Sequence, residues 1–303
     1  MISVVIPTRN RPTNLAAILQ KISEQYLPID EVVIVDSSDS VAPIQLDPTW
    51  TFVLQHQTTK IRSAAHQRNI GIELISEKCE YLCFLDDDVL PGPEYLSDLI
   101  GNLRKMGGIG ISGIAINPSL ETKKREKPLG AFGTLQKFFK LDSDLDGVLL
   151  KSGVNIPVRS FSGDLQEVEW LIGCSVWKFQ EITSLRFELD FMGQSLCEDV
   201  IYSLRASNLG KLYVDPNVHL IHLESKIGRP TGAEFWAMWV VNRKRLVEIA
   251  NNGKSFEAQY HLANFGQFIT LIYTSIFLKR TSIFAALGII LGYQKLIKNR
   301  FKL

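Results

Sequence analysis

The chain has 303 residues, 46% of them hydrophobic and 21% charged, with a formal net charge of +1. That is an ordinary globular composition, enough for one large domain or two smaller ones around a sizeable core. The charge is uneven: Lys226–Leu303 holds 12 Lys/Arg against 3 Asp/Glu, +9 in all, which leaves −8 for the first 225 residues, so a general nucleic-acid binder is disfavoured while a cation site in the acidic body and an anionic surface near the basic tail are favoured.

Cys79, Cys83, Cys174 and Cys197 have neither paired C-x-x-C spacing nor the density of a disulfide scaffold. Met1 leads straight into an apolar run without a basic leader or a cleavage site. The expected location is therefore the cytoplasm or the cytoplasmic face of a membrane.

In chain order, Ile2–Ile6 is a β-rich run ended by Pro7-Thr8-Arg9-Asn10-Arg11-Pro12. Thr13 or Asn14 can cap a helix over about 15–25, with Leu15, Ile18, Leu19 and Ile22 at helical spacing. Glu31–Val35 reads as a buried strand ending at Asp36-Ser37-Ser38-Asp39-Ser40, and Thr51–Leu54 as a third strand. The pattern then predicts a helix over 63–76 containing Gln67-Arg68-Asn69-Ile70-Gly71, a strand over 81–85, a helix near 93–105 and a strand near 109–114. This alternation builds an α/β fold with a mostly parallel, doubly wound sheet and right-handed crossovers.

The strand at 81–85 runs into Asp86-Asp87-Asp88, and Pro91-Gly92-Pro93 breaks the chain soon after. Three adjacent carboxylates repel one another, and burying them without a counter-ion is costly. A divalent cation removes that cost, and oxygen ligands suit Mg²⁺ or Mn²⁺. The competing reading is a solvated acidic turn.

Residues 117–163 carry little signal. Lys123–Lys127 reads as a solvated basic loop and Phe132–Leu141 as a short helix or lid. Order resumes at Glu169-Trp170-Leu171-Ile172-Gly173-Cys174-Ser175. A helix is predicted from Glu198, followed by Gly210, a strand at 211–214, Pro216 and Val218-His219-Leu220-Ile221-His222. Side chains alternate along a strand, so only one of His219 and His222 faces a given site.

The last segment, 226–303, is basic, apolar and helical in pattern. Residues 262–278 and 281–294 are uncharged, and Lys279-Arg280 and Lys295, Lys298, Arg300 and Lys302 follow them. Each run is shorter than the roughly 20 residues of a spanning helix. Two readings stand: a helical hairpin in the membrane interface with its cations at anionic head groups, or helices packed on the soluble body or on a second subunit. Gly288 and Gly292 permit close helix contact in either.

Five pieces occur in order: Val5-Ile6-Pro7-Thr8-Arg9-Asn10-Arg11, Val35-Asp36-Ser37-Ser38, Gln67-Arg68-Asn69-Ile70-Gly71, Phe84-Leu85-Asp86-Asp87-Asp88, and Glu198-Asp199 with Pro216 and His222. Together they resemble the family 2 glycosyltransferases over about residues 2–115 and 168–245. The resemblance implies a GT-A fold. Residues 1–225 would bind a nucleotide-sugar and catalyse, with a nucleotide half at about 1–115 and an acceptor half at about 116–225.

It further implies that Pro7, Thr8, Arg9, Asp36, Arg68, Asp86 and Asp87 contact the nucleotide. Asp88 and His222 would hold Mn²⁺ or Mg²⁺, and Trp170 and Gly173 would face the acceptor. Asp199, or Glu198 in its place, would be the general base. Ser37 stands where the family often has a second acidic residue, which loosens the choice of nucleotide base. The implied reaction is an inverting, metal-dependent transfer of a hexosyl or deoxyhexosyl group. Its donor is a nucleotide-diphosphate sugar and its acceptor a hydroxyl of a glycan or lipid-linked molecule, in surface polysaccharide or glycolipid synthesis. Peripheral membrane contact would run through 262–303, and an oligomer stays open.

Two other classes compete. A sugar-phosphate nucleotidyltransferase normally has a glycine-rich loop after its first strand, and residues 7–12 contain no glycine. A non-catalytic glycan-binding protein has no need for competent residue types at Asp86, Asp88, Asp199 and His222 together.

Overall fold

The computed structural model describes residues 1–117, 130–190, 196–225, 230–250, 257–277 and 283–300. The Lys123–Lys127 loop, the approach to Glu198 at 191–195, Lys279-Arg280 and Lys302 lie outside them. The chain divides into two compact units, Met1–Arg125 with Val158–Arg229, and Glu126–Pro157 with Pro230–Leu303.

The first unit contains β1 (Ile2–Thr8), α1 (Pro12–Ser23), β2 (Glu31–Asp36), β3 (Val53–Thr58), α2 (Ala64–Leu74), β4 (Tyr81–Phe84), β5 (Val89–Pro91), α3 (Tyr95–Met106) and β6 (Gly110–Ile116). After α4 (Gly130–Phe138), which belongs to the second unit, it resumes with β7 (Gln166–Val168), β8 (Ser175–Lys178), α5 (Glu198–Ser207) and β9 (Leu212–His222). The strands form one sheet in the order β3-β2-β1-β4-β8-β6-β9-β5, with β7 also on β9.

The two faces follow from strand alternation. Val4, Ile6, Val32 and Ile34 pack with Ile18, Leu19 and Ile22 of α1 and with Leu96, Leu99 and Leu103 of α3. Val5, Val33, Val35, Leu82 and Phe84 pack on the other face with Ala65 and Ile72 of α2 and Tyr202 and Ala206 of α5. Each Val, Leu, Ile or Phe among them contributes about 1.5–3 kcal/mol when fully buried. Helix α2 lies very close to β1: a Cβ on Gly71 would stand 2.3 Å from Val5 Cγ1.

The alternating pattern predicts mostly parallel pairing, and half of the pairs are parallel. The β1–β2, β1–β4, β2–β3 and β6–β9 pairs are parallel, while β4–β8, β6–β8, β5–β9 and β7–β9 are antiparallel. The reason is that β8, which enters between β4 and β6, and β5 and β7, which flank β9, run against the other strands. Strand β3 starts two residues later than Thr51, because Phe52 and Trp50 pack towards the core while the strand itself is a polar, largely exposed edge.

In the second unit, α6 (Gly232–Ala250), α7 (Glu257–Ile276) and α8 (Ile283–Arg300) share a core of Val240, Val247, Tyr260, Leu271, Ala285 and Ile289. A Cβ on Gly288 would lie 2.4 Å from Ala233 O, and one on Gly292 would lie 2.6 Å from Val240 Cβ. These glycines thus allow α8 to lie against α6. Residues 130–157 pack with the C-terminal helices. Gln136 Nε2 donates to Thr270 Oγ1 at 3.0 Å, and Arg243, stacked on Trp239, donates to Ser152 O at 2.7 Å. Among the described residues, no helix is long and apolar enough to cross a membrane.

Candidate active site

The ends of β1 and β4 open where the chain, having built β2 and β3 on one side of β1, crosses to the other side. Such a switch point leaves a crevice at the strands' carboxyl ends. A cleft of about 430 Å³ lies there, lined by the β1–α1 loop (Pro7 to Arg11), Arg68, Asp86 to Asp88, Gly173, Leu196 to Asp199 and His222.

Sequence-distant residues reach this cleft through strand register. In the antiparallel β5–β9 ladder Val89 pairs with His222, so the residue just before β5, Asp88, meets the end of β9. His222 Nε2 lies 3.2 Å from Asp88 Oδ1. Ser225 N donates to Asp88 Oδ2 at 2.9 Å, and Leu223 N donates to Asp88 O at 2.9 Å. One ligand atom each of Asp86, Asp88 and His222 falls within 4.8 Å of the others. Two carboxylate oxygens and an imidazole nitrogen form a donor set that fits Mn²⁺ or Mg²⁺. Asp86, assigned by the resemblance to the nucleotide, thus also joins the metal-competent group. His219 turns away, as alternation predicts: its Nε2 is 2.8 Å from Pro216 O.

Asp87 is held differently. Thr8 Oγ1 donates to its Oδ2 at 2.7 Å, and Arg11 Nη1 donates to its Oδ1 at 2.7 Å. Burial raises its pKa, and Arg11 and Thr8 oppose that rise. The β1–α1 loop is itself tied down. Asn10 adopts a left-handed backbone with φ 55, and its N–H donates to Ser38 Oγ at 2.7 Å.

Arg68 is 3% exposed and sits between two acids. Its Nη2 donates to Asp86 Oδ1 at 2.6 Å and its Nη1 pairs with Glu198 Oε1. Burial disfavours its charge, but Glu198 and Asp86 outweigh that and raise its pKa. Both ends of its fork are engaged by carboxylates, and Arg68 also lines the cleft. Gly173 makes this possible, because a Cβ there would stand 3.0 Å from Arg68 Nη2.

Glu198 and Asp199 open α5, where carboxylates are favoured by the helix dipole. The residue before them, Cys197, has φ 75, a left-handed conformation uncommon for a residue with a side chain. Glu198 is buried against Arg68, while Asp199 is half-buried at the cleft wall. Desolvation raises the Asp199 pKa to about 6, against the lowering effects of Arg68 and of the Val200 N–H that donates to Oδ1 at 2.9 Å.

Asp36, at the end of β2, accepts from Ser38 N at 2.7 Å and faces His56 Nε2 at 3.4 Å. It is buried beside Ser37, which lines the cleft where Asp36 does not. Trp170 is buried between β7 and β8 and lies outside the cleft lining. Sequence reasoning missed Arg11, whose only signal was its place in the loop after β1, and Gln67, whose amide donates to Thr8 O at 2.8 Å and Val35 O at 2.6 Å.

Known proteins resemble this chain in sequence and in fold. Residues 3–162 match the family model described as glycosyl transferase family 2. An uncharacterized glycosyltransferase of Haemophilus influenzae is 32% identical over 97 residues, 31% of this chain and 31% of that protein. Among solved structures, S. aureus TarS 1–349 in complex with UDP has a TM-score of 0.51 at 14% identity, covering 92% of this chain and 73% of that one. The longer TarS structure is matched over 44% of its length. Mannosyltransferase PcManGT from Pyrobaculum calidifontis, in complex with GDP-Man and Mn²⁺, has a TM-score of 0.55 at 15% identity, covering 97% of this chain and 86% of that one. At these identities the structural likeness establishes the GT-A type of fold.

Proposed function

The chain belongs to glycosyl transferase family 2, and from that premise we propose that it is an inverting, metal-dependent glycosyltransferase acting on a nucleotide-diphosphate sugar. The observation that carries this reading is one cleft lined by both a metal-competent donor set, Asp86, Asp88 and His222, and a carboxylate of raised pKa, Asp199. Asp199 takes the proton of the acceptor hydroxyl as that oxygen attacks the anomeric carbon. A pKa near 6 makes it mostly ionised at neutral pH yet a stronger base than an ordinary Asp. Glu198 and Asp86 fix Arg68 at the junction of the two halves. Pro7, Thr8, Arg9 and Asp36 contribute the nucleotide side. Gly173 and Trp170 contribute the acceptor side, Gly173 from the cleft lining.

A divalent cation held by Asp86, Asp88 and His222 would supply positive charge against the departing diphosphate. The donor class is supported by the fold shared with proteins solved with UDP and with GDP-Man. A single carboxylate placed as base favours direct displacement, hence inversion. The transferred group would be a hexosyl or deoxyhexosyl unit.

The acceptor would be a glycan or a lipid-linked sugar, as in surface polysaccharide or glycolipid synthesis, reached by peripheral contact at a membrane's cytoplasmic face. Supporting this, α7 exposes Phe265, Ile269 and Tyr273, and α8 exposes Phe284, Leu287 and Leu291. Residues 258–303 hold six Lys/Arg and no Asp/Glu. Both features suit an anionic interface.

The test is transfer from a panel of UDP- and GDP-sugars with Mn²⁺, with the product followed by NMR. Nucleoside diphosphate release with an inverted anomeric centre is expected. Retained configuration would overturn the mechanism, and pyrophosphate release would indicate nucleotidyl transfer instead.

A further inference from the structure

Arg11 stands in the loop between β1 and α1, two residues beyond Arg9, and its side chain is 14% exposed. Its guanidinium reaches three groups of the metal-competent end of the cleft. Nη1 lies 2.7 Å from Asp87 Oδ1 and 3.4 Å from Asp88 Oδ2, and Nη2 donates to Ser225 O at 3.4 Å. Asp87 and Asp88 are the most buried carboxylates of the triple-aspartate turn. Two buried, adjacent carboxylates need a positive partner. Asp87 is already satisfied by Thr8 and Arg11, so Arg11 is anchored there. Its contact with Asp88 is the longer and looser one.

We propose that Arg11 is a tethered counter-cation that occupies the charge role of the divalent ion and yields it to substrate. Anchored on Asp87, it neutralises Asp88 and so weakens cation binding to the protein alone. An arriving diphosphate offers Arg11 a new anionic partner, for which a forked guanidinium is well suited. Arg11 then releases Asp88 to the cation. Cation and nucleoside diphosphate therefore bind with positive coupling, and by linkage each raises the affinity of the other by the same factor. The device makes the site assemble only with donor present. This inference rests on the reading that Asp86, Asp88 and His222 hold a cation.

The experiment is Mn²⁺ titration of the full chain, followed by the EPR signal of unbound Mn²⁺, with and without UDP or GDP, for wild type, Arg11→Gln and Arg11→Lys. One charge acting on a divalent ion about 6 Å away is worth about tenfold at the dielectric of water, and more in a drier cleft. Arg11→Gln should bind Mn²⁺ alone at least about tenfold tighter than wild type, and the enhancement by nucleotide should shrink by a similar factor. Arg11→Lys keeps the charge and should bind Mn²⁺ alone as weakly as wild type does, whereas Arg11→Gln should not. A merely structural role predicts the reverse, weaker Mn²⁺ binding in Arg11→Gln together with a lowered Tm. If wild type binds Mn²⁺ with nucleotide and Arg11→Gln binds Mn²⁺ alone no tighter than wild type, the counter-cation role is refuted and the cation site stands. If folded wild type and Arg11→Gln both fail to bind Mn²⁺ even with nucleotide, the cation site falls and this inference falls with it.

Discussion

The raised pKa of Asp199 gives a prediction with opposite signs in rate and stability. Desolvation brings the group to about 6, from the 3.8 of an ordinary Asp. As the base it must be ionised. At pH 5 about a tenth of the molecules carry the charge, and at pH 7.5 nearly all do. The rate at saturating donor and Mn²⁺ should therefore fall about tenfold from pH 7.5 to 5. Stability runs the other way. The folded chain binds this proton more tightly than the unfolded one, so between about pH 4 and 6 stability declines as pH rises. The stabilisation from this group is complete below the unfolded pKa and lost above 6. Asp199→Asn should thus abolish turnover while raising stability at pH 7.5 by about 1–3 kcal/mol, the upper end being the full shift and the lower end allowing for its partial exposure. Initial rates of nucleoside diphosphate release and urea unfolding, both across pH 5–8, measure the two arms. A rate that is flat over this range, or wild-type turnover in Asp199→Asn, would refute the assignment.

Gly71→Ala places a Cβ 2.3 Å from Val5 Cγ1. Overpacking of this kind should cost about 1–3 kcal/mol in urea unfolding, and an unchanged midpoint would mean that α2 slides freely on β1. For the membrane reading, Lys295→Glu/Lys298→Glu reverses two exposed charges of α8. The partition coefficient onto vesicles containing anionic lipid should drop about thirtyfold or more, at about 1 kcal/mol per removed cation, whereas equal pelleting of both proteins would leave the exposed faces of α7 and α8 to another partner.

The first half of the sheet was legible because its strands are short apolar runs bounded by turn residues, and its helices show their buried face at i, i+3, i+4 and i+7. What the sequence hides is pairing across long separations. Strand β5 is three residues inside a proline-broken stretch, and no local pattern reveals that Val89 registers with His222. The Asp88–His222 contact thus came only from family resemblance, although one register fact explains it. The Arg68–Glu198 pair is hidden for the same reason, since its residues are 130 apart in sequence. The sequence shows Arg68 as a forked cation suited to a phosphate or a base carbonyl, but not that its fork also joins Asp86 to Glu198. Burial also separates the aspartates of the acidic turn, which the sequence can only list in a row: Asp87 faces Thr8 and Arg11, while Asp86 and Asp88 face His222.

That same pair bears on the proposed choice of Asp199 over Glu198 as base. Glu198 is engaged by the buried Arg68 guanidinium, so its Oε1 is occupied by that contact. Asp199, one residue on around the helix, feels Arg68 less than it feels desolvation, so its basicity rises. The two roles can be pulled apart with Glu198→Gln. The change leaves Arg68 buried with Asp86 as its remaining carboxylate contact. Complete loss of a buried pair costs about 3–5 kcal/mol, and the retained Asp86 contact and the amide oxygen should reduce this to about 1–3. With one competitor for the guanidinium gone, more of its field reaches Asp199, so the midpoint of the pH–rate profile should move below 6 and the profile should persist. If Glu198→Gln instead flattens the profile, and Asp199→Asn leaves it intact, Glu198 is the proton acceptor and Asp199 the residue that positions it.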